Sequence, residues 1–145
     1  FNKVVDLYAG VGVIGLSLKD YFKEIWSVEV NKIATEYIKI NAELNNVKNV
    51  KILNLSSEKI SKNILENTDL LIVDPPRSGL HKKLINFILE TKPKNIFYLS
   101  CNPITQAQNF SFLKQMYKIK NFYGFDFYPN TPHLESLLIL ENFKI

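Results

Sequence analysis

Short apolar runs bounded by glycine, proline and asparagine alternate along the chain with stretches in which apolar residues return every three or four positions. Lys3-Val4-Val5-Asp6-Leu7-Tyr8 is mostly apolar and β-branched and predicts a first strand. A tight turn follows at Ala9-Gly10-Val11-Gly12, and Val13 to Tyr21 carries apolar residues at helical spacing. Glu24 to Glu29 predicts a second strand that ends in a carboxylate. Asn31 can cap a helix through Leu44, with Ile33, Tyr37, Ile40 and Leu44 on one face. Val50 to Leu53 predicts a third strand and Ser56 to Leu65 a short helix. Asp69 to Asp74 is the clearest buried strand, and Pro75-Pro76 stops it. A helix over Leu80–Glu90, a strand over Asn95–Leu99 and a helix over Ile104–Gln115 follow. Lys118 to Phe127 and Leu134 to Leu140 predict two strands with no helical pattern between them, hence an antiparallel pair.

Strands that alternate with helices imply an α/β fold. Its sheet is mostly parallel, joined by right-handed crossovers, covered on both faces and finished by the antiparallel pair. The 145 residues suit one domain, 1–145, without internal repeat or linker. The chain opens at Phe1 and enters a strand almost at once, as expected of a domain cut from something longer.

Composition narrows the setting. Hydrophobic residues at 46% and charged residues at 22% fit an ordinary globular chain. A single cysteine excludes an intramolecular disulfide and suits a reducing cytoplasm. No apolar run has the length of a membrane span, so no membrane partner is expected. A net charge of +4 permits nucleic acid as a partner without requiring it. Arg77 is the only arginine in a lysine-rich chain; a planar bidentate contact and an ordinary surface ion pair both fit it.

The candidate chemistry lies where strands end. Gly10-Val11-Gly12-Val13-Ile14-Gly15 matches G-x-G-x-x-G, and Glu29 follows at about the distance of a ribose-binding acid. Two cofactors remain open, NAD and S-adenosylmethionine. Tyr8-Ala9 separate the strand from the first glycine, and Asp6 suits a cationic sulfonium and amine better than a pyrophosphate. Glu29 can accept both ribose hydroxyls of either. Asp74 precedes two prolines, which push it to extended geometry and stiffen Asp74-Pro75-Pro76-Arg77-Ser78-Gly79. Cys101 falls between a strand and the helix start Asn102-Pro103, where free N–H groups favour a thiolate nucleophile; a buried structural cysteine is the plainer alternative. Glu135 opens an apolar strand, where a carboxylate is costly unless partnered or used. His133 beside it suits a structural histidine as well as a base. No His/Cys cluster has metal-ligand spacing, so no metal is expected.

Taken together, Asp6-Leu7-Tyr8-Ala9-Gly10-Val11-Gly12, Asp74-Pro75-Pro76-Arg77-Ser78-Gly79, Ser100-Cys101-Asn102-Pro103 and His133-Leu134-Glu135 resemble the RNA uracil-5-methyltransferases, in motif order and over essentially the whole chain. The resemblance implies a Rossmann-like class I S-adenosylmethionine-dependent methyltransferase fold with a seven-stranded sheet. It implies methyl transfer to carbon 5 of a uridine in tRNA or rRNA. Cys101 would be the nucleophile and Glu135 the base. Tyr8, Gly10, Glu29 and Asp74 would line the cofactor site, with Asp74 also near the uracil. RNA is the implied partner, and a cytoplasmic monomer is expected. The chain departs from the family pattern at Ser56, where Asn or Asp usually holds the adenine, at Val13, which replaces a polar residue, and at Pro132. The family's RNA-binding region and a cofactor-contacting glutamine would lie upstream of Phe1. An amine-directed methyltransferase, an NAD-dependent oxidoreductase and a non-catalytic S-adenosylmethionine-binding module are the competing readings; only the covalent uracil chemistry needs Cys101.

Overall fold

The computed structural model describes residues 1–127, 129–131 and 134–144. Its elements are β1 (Lys3–Leu7), α1 (Val13–Ser17), β2 (Glu24–Glu29), α2 (Lys32–Leu44), β3 (Val50–Asn54), a 3₁₀ turn (Lys62–Leu65), β4 (Leu70–Val73), α3 (Lys82–Thr91), β5 (Asn95–Ser100), α4 (Pro103–Leu113), β6 (Tyr117–Phe125) and β7 (Glu135–Asn142). Among the described residues the strands form one seven-stranded sheet in the order β3-β2-β1-β4-β5-β7-β6. The first five strands run parallel, and β7 pairs antiparallel with both β5 and β6. The parallel sheet and its closing antiparallel pair stand as the sequence predicts. The strand order reverses between β1 and β4, and the crevice at such a reversal opens at the carboxyl ends of the strands.

Alternation of side chains divides the sheet into two cores. Val5, Leu7, Leu71, Val73, Ile96, Tyr98, Leu138 and Leu140 face α3, α4 and the 3₁₀ turn, and they pack on Leu84, Ile85, Ile88 and Leu113. Val4, Ile25, Leu70 and Ile72 face the other way and pack on Leu16 of α1 and on Ile38 and Ala42 of α2. Burying this apolar surface is what holds the helices down; their intrinsic propensities are minor beside it.

Four expectations need correction. The helix from Val13 stops at Ser17, because the backbone tightens into i→i+3 bonds at Leu18, Lys19 and Tyr21, which fold Phe22 into the core. The helix expected over Ser56–Leu65 is reduced to the 3₁₀ turn. There the Ser56 hydroxyl accepts from the Glu58 N–H and the Ser61 hydroxyl bonds the Asn63 side chain, and both compete with helical pairing. The inward face of α2 is Thr35, Ile38 and Ala42, while Ile33, Tyr37, Ile40 and Leu44 are exposed. The helix lies close on this face, which admits the small Thr35 and Ala42 beside Ile38: Ile38 packs against Gly12, where an added Cβ would sit 3.1 Å from it, and Asn54 of β3 donates to the Thr35 hydroxyl at 3.1 Å. Coverage of the sheet is also uneven. On the α1 and α2 side, Phe97, Leu99, Leu137 and Ile139 are only half-buried and Tyr123 and Phe125 are exposed.

Candidate active site

The carboxyl ends of β1, β2, β4 and β5 lie along one edge of the sheet. Because β7 runs antiparallel to β5, its first residue comes to that same edge.

At β1 the chain leaves the sheet through Tyr8, whose φ of 60° lies in the left-handed region. A bulky residue there is strained, and such strain collects at functional sites. Tyr8 is half-buried, and burial, then the nearby Glu58 carboxylate, pushes its phenol up to about 12. Gly10 follows at φ 56°, and a Cβ built on it would meet nothing within 4 Å. The Gly10 N–H donates to Glu29 Oε2 at 2.8 Å, while Glu29 Oε1 accepts from the Asn31 N–H at 2.8 Å. Glu29 thus ties the glycine turn to the start of α2, and each of its oxygens keeps a free lone pair. Asp6 is buried behind this turn. Its Oδ2 accepts from the Gly15 N–H at 3.0 Å, so α1 rather than the crevice receives it. A Cβ on Gly15 would come within 2.7 Å of that oxygen, which explains the third glycine: it lets the helix approach the strand. Burial raises the Asp6 carboxyl to about 7, the Gly15 hydrogen bond opposing and the Asp74 and Glu29 charges adding to the rise.

Asp74 follows β4 and is exposed, as the proline pair after it predicts. Its carboxyl is pushed above the ordinary range, first by partial desolvation and then by the like charge of Glu135. The end of β4 and the start of β7 thus lie near enough for their carboxyl groups to repel. The loop is tied down from α4: the Thr105 hydroxyl donates to the Arg77 carbonyl at 3.0 Å. Arg77 therefore contributes its backbone to the site's frame.

Cys101 follows β5 directly and is partly exposed, which is not the setting of a core cysteine. Asn102 caps α4, its side chain accepting from the N–H groups of Ile104 and Thr105, and Pro103 occupies the first turn. Across the β5–β7 ladder Ser100 is the register partner of Ser136, and the Ser136 hydroxyl lies 3.1 Å from the Ser100 carbonyl. Cys101 follows Ser100 just beyond the end of β5, and Glu135 precedes Ser136 as the first residue of β7. Glu135, half-buried, pairs in turn with Phe125 of β6. Phe125 stacks on Phe127 with ring centres 5.7 Å apart. The fold so gathers Tyr8, Gly10, Glu29, Asp74, Cys101 and Glu135 on one edge of the sheet. His133 and Pro132 lie outside the described residues. Val13 is exposed and apolar, and Ser56 sits in the loop after β3.

Asn109 is a residue the sequence reading missed. Its Oδ1 accepts from the Leu80 N–H and from the Tyr98 hydroxyl, both at 2.7 Å, and so joins the loop after β4 to β5 and α4. Its signal is the helical spacing from Thr105, which puts both polar side chains of α4 toward the same loop. Among the described residues no group of His, Cys, Asp and Glu could hold a metal ion, and no helix is long and apolar enough to cross a membrane.

Comparison with known proteins meets this geometry. The family profile for tRNA (Uracil-5-)-methyltransferase matches residues 2–143. An uncharacterized RNA methyltransferase of Mycoplasma mobile is 41% identical over 140 residues, which are 97% of this chain and 39% of that protein. One from Enterococcus faecalis is 38% identical over 141 residues, 94% of this chain and 31% of its own. Among solved structures, the Pyrococcus abyssi tRNA (uracil-54, C5)-methyltransferase in complex with S-adenosyl-L-homocysteine superposes with a TM-score of 0.86 at 35% identity, over 97% of this chain and 34% of that one. The chain thus spans between 31% and 39% of the length of these relatives.

Proposed function

The chain belongs to the tRNA (uracil-5-)-methyltransferase family, and on that premise we propose that it is the catalytic domain of a longer protein that transfers a methyl group from S-adenosylmethionine to carbon 5 of a uridine in tRNA or rRNA. The observation that supports this reading is the Ser100–Ser136 register: the partly exposed Cys101 follows one member of the pair and Glu135 precedes the other, at the edge where the glycine turn also opens.

The residues around that turn fit S-adenosylmethionine. Glu29 has lone pairs free for ribose hydroxyls, and Gly10 borders open space. Glu29 and Asp74 set carboxyl groups at the crevice, which favour a cation there. Tyr8, Gly10, Glu29 and Asp74 would hold the cofactor, which supplies an electrophilic methyl group when bound.

Carbon 5 of uracil is a weak nucleophile. The Cys101 thiolate adds to carbon 6, and the ring becomes an enolate with electron density at carbon 5. Once carbon 5 is methylated, the Glu135 carboxylate accepts its proton. The electron pair of that bond re-forms the 5,6 double bond, the carbon–sulfur bond breaks, and the thiolate returns to Cys101. A thiol and a carboxylate suffice for this sequence.

The test is trapping. RNA carrying 5-fluorouracil, incubated with the full-length protein and S-adenosylmethionine, should give a protein–RNA band that survives denaturation, because fluorine cannot leave carbon 5 as a proton. The band should vanish in Cys101→Ala with cofactor binding retained. Methylation that persists in Cys101→Ala would overturn the reading.

A further inference from the structure

Gln106 and Ser136 are buried polar residues, 3% and 2% exposed, in positions that otherwise belong to the core. Gln106 lies in α4 just beyond its capped first turn, and the only other buried residue of that helix is Leu113. Gln106 Nε2 donates to the Tyr98 carbonyl of β5 at 2.8 Å. Its Oε1 accepts from the Ser136 hydroxyl of β7 at 2.9 Å. The same hydroxyl lies 3.1 Å from the Ser100 carbonyl, so its single proton serves two acceptors. One amide thereby joins the helix that begins after Cys101, the strand that ends before it and the strand that begins with Glu135. Leucine would fill this space without the desolvation cost of an amide, and the glutamine is tolerated because both ends of its side chain are bonded.

We propose that Gln106 is a positioning residue which, through Ser136, fixes the separation of the Cys101 sulfur and the Glu135 carboxylate. The inference rests on the roles given to those two residues above. Addition to carbon 6 needs only the thiolate. The closing step needs both groups at once: the carboxylate takes the carbon 5 proton as the carbon 6–sulfur bond breaks. Misplacing one against the other therefore slows release more than addition.

The experiment uses the full-length protein, total RNA from cells that lack it, and S-adenosylmethionine labelled in the methyl group. Gln106→Leu and Ser136→Ala should fold and bind S-adenosylmethionine with an unchanged KM. Their kcat should fall, by up to about a hundredfold, the loss that a misplacement of about 1 Å can cause. A labelled covalent protein–RNA complex should accumulate in both. Ser136→Thr, which keeps the hydroxyl, should restore turnover. Wild-type turnover in folded Gln106→Leu and Ser136→Ala would overturn the proposal, as would a fall in kcat without accumulation of the complex. If Gln106→Leu fails to fold, the contrast between Ser136→Ala and Ser136→Thr decides. Glu135→Gln run in parallel separates the two levels: free turnover there refutes the assignment of the base, whereas a trapped Glu135→Gln beside a wild-type-like Gln106→Leu refutes the positioning role alone.

Discussion

The side-chain amide of Asn102 donates to the backbone carbonyl of Arg77 at 3.2 Å, while its oxygen caps α4. The residue after the candidate nucleophile thus holds the loop that carries Asp74. Asn102→Ala should cost about 1 kcal/mol through the lost cap alone. It should also slow trapping by 5-fluorouracil RNA, because the Arg77 carbonyl would keep only its bond from the Thr105 hydroxyl. Urea unfolding and the trapping rate of the same variant check both parts; an unchanged rate would show the loops to be independent.

Asp6 gives the protein a dependence on pH. Its folded carboxyl titrates near 7, against an ordinary value of 3.8. Between these values the folded state keeps a proton that the unfolded state has lost, so this residue makes stability fall as pH rises through the window, and the loss is complete above it. Asp6→Asn keeps an acceptor for the Gly15 N–H and carries no such proton. It should therefore gain on the wild type as pH rises from about 5 to about 8, by on the order of a few kcal/mol at most. Urea midpoints of both proteins at the two ends of the range measure it, and parallel curves would refute it.

Glu29 should matter to the cofactor in two ways, by direct contact and by bracing the Gly10 turn. Glu29→Ala should weaken S-adenosylmethionine binding by about 1–3 kcal/mol, the range for hydrogen bonds to a charged partner. Calorimetry with S-adenosylmethionine and NAD in parallel reads this loss, and a wild-type preference for NAD would refute the cofactor assignment.

The two faces of α2 should answer differently to truncation. Ile38→Ala empties space against Gly12 and Leu16 and should cost about 2–5 kcal/mol. Ile33→Ala, on a residue 70% exposed, should change stability by no more than about 0.5 kcal/mol. Thermal melts of the two variants suffice to distinguish them.

That contrast also marks where the sequence was legible. The strands were, because runs such as Leu70-Leu71-Ile72-Val73 are buried on both faces and read as continuous apolar segments. The strand-end residues were, because glycine, proline and asparagine fix where a parallel strand must stop. The α2 face was not: apolar periodicity marked its large residues, whereas close approach to the sheet selected Thr35 and Ala42. Nor was the role of Gln106 or Asn109, since each depends on which strands become neighbours, and β7 lies beside β5 only through a long-range antiparallel pairing.

The pairing of β5 with β7 makes the site depend on chain length in an all-or-none manner. The ladder fixes its register through Ser100 and Ser136, inside the strands. A single deletion inside β7 forces a choice, because successive side chains alternate between faces. Either Leu138 and Leu140 stay in the core and Glu135 turns to the other side of the sheet, or Glu135 keeps its place and the core side chains turn out. A one-residue change of length inside β7 therefore costs the chain either its core or the arrangement of its site.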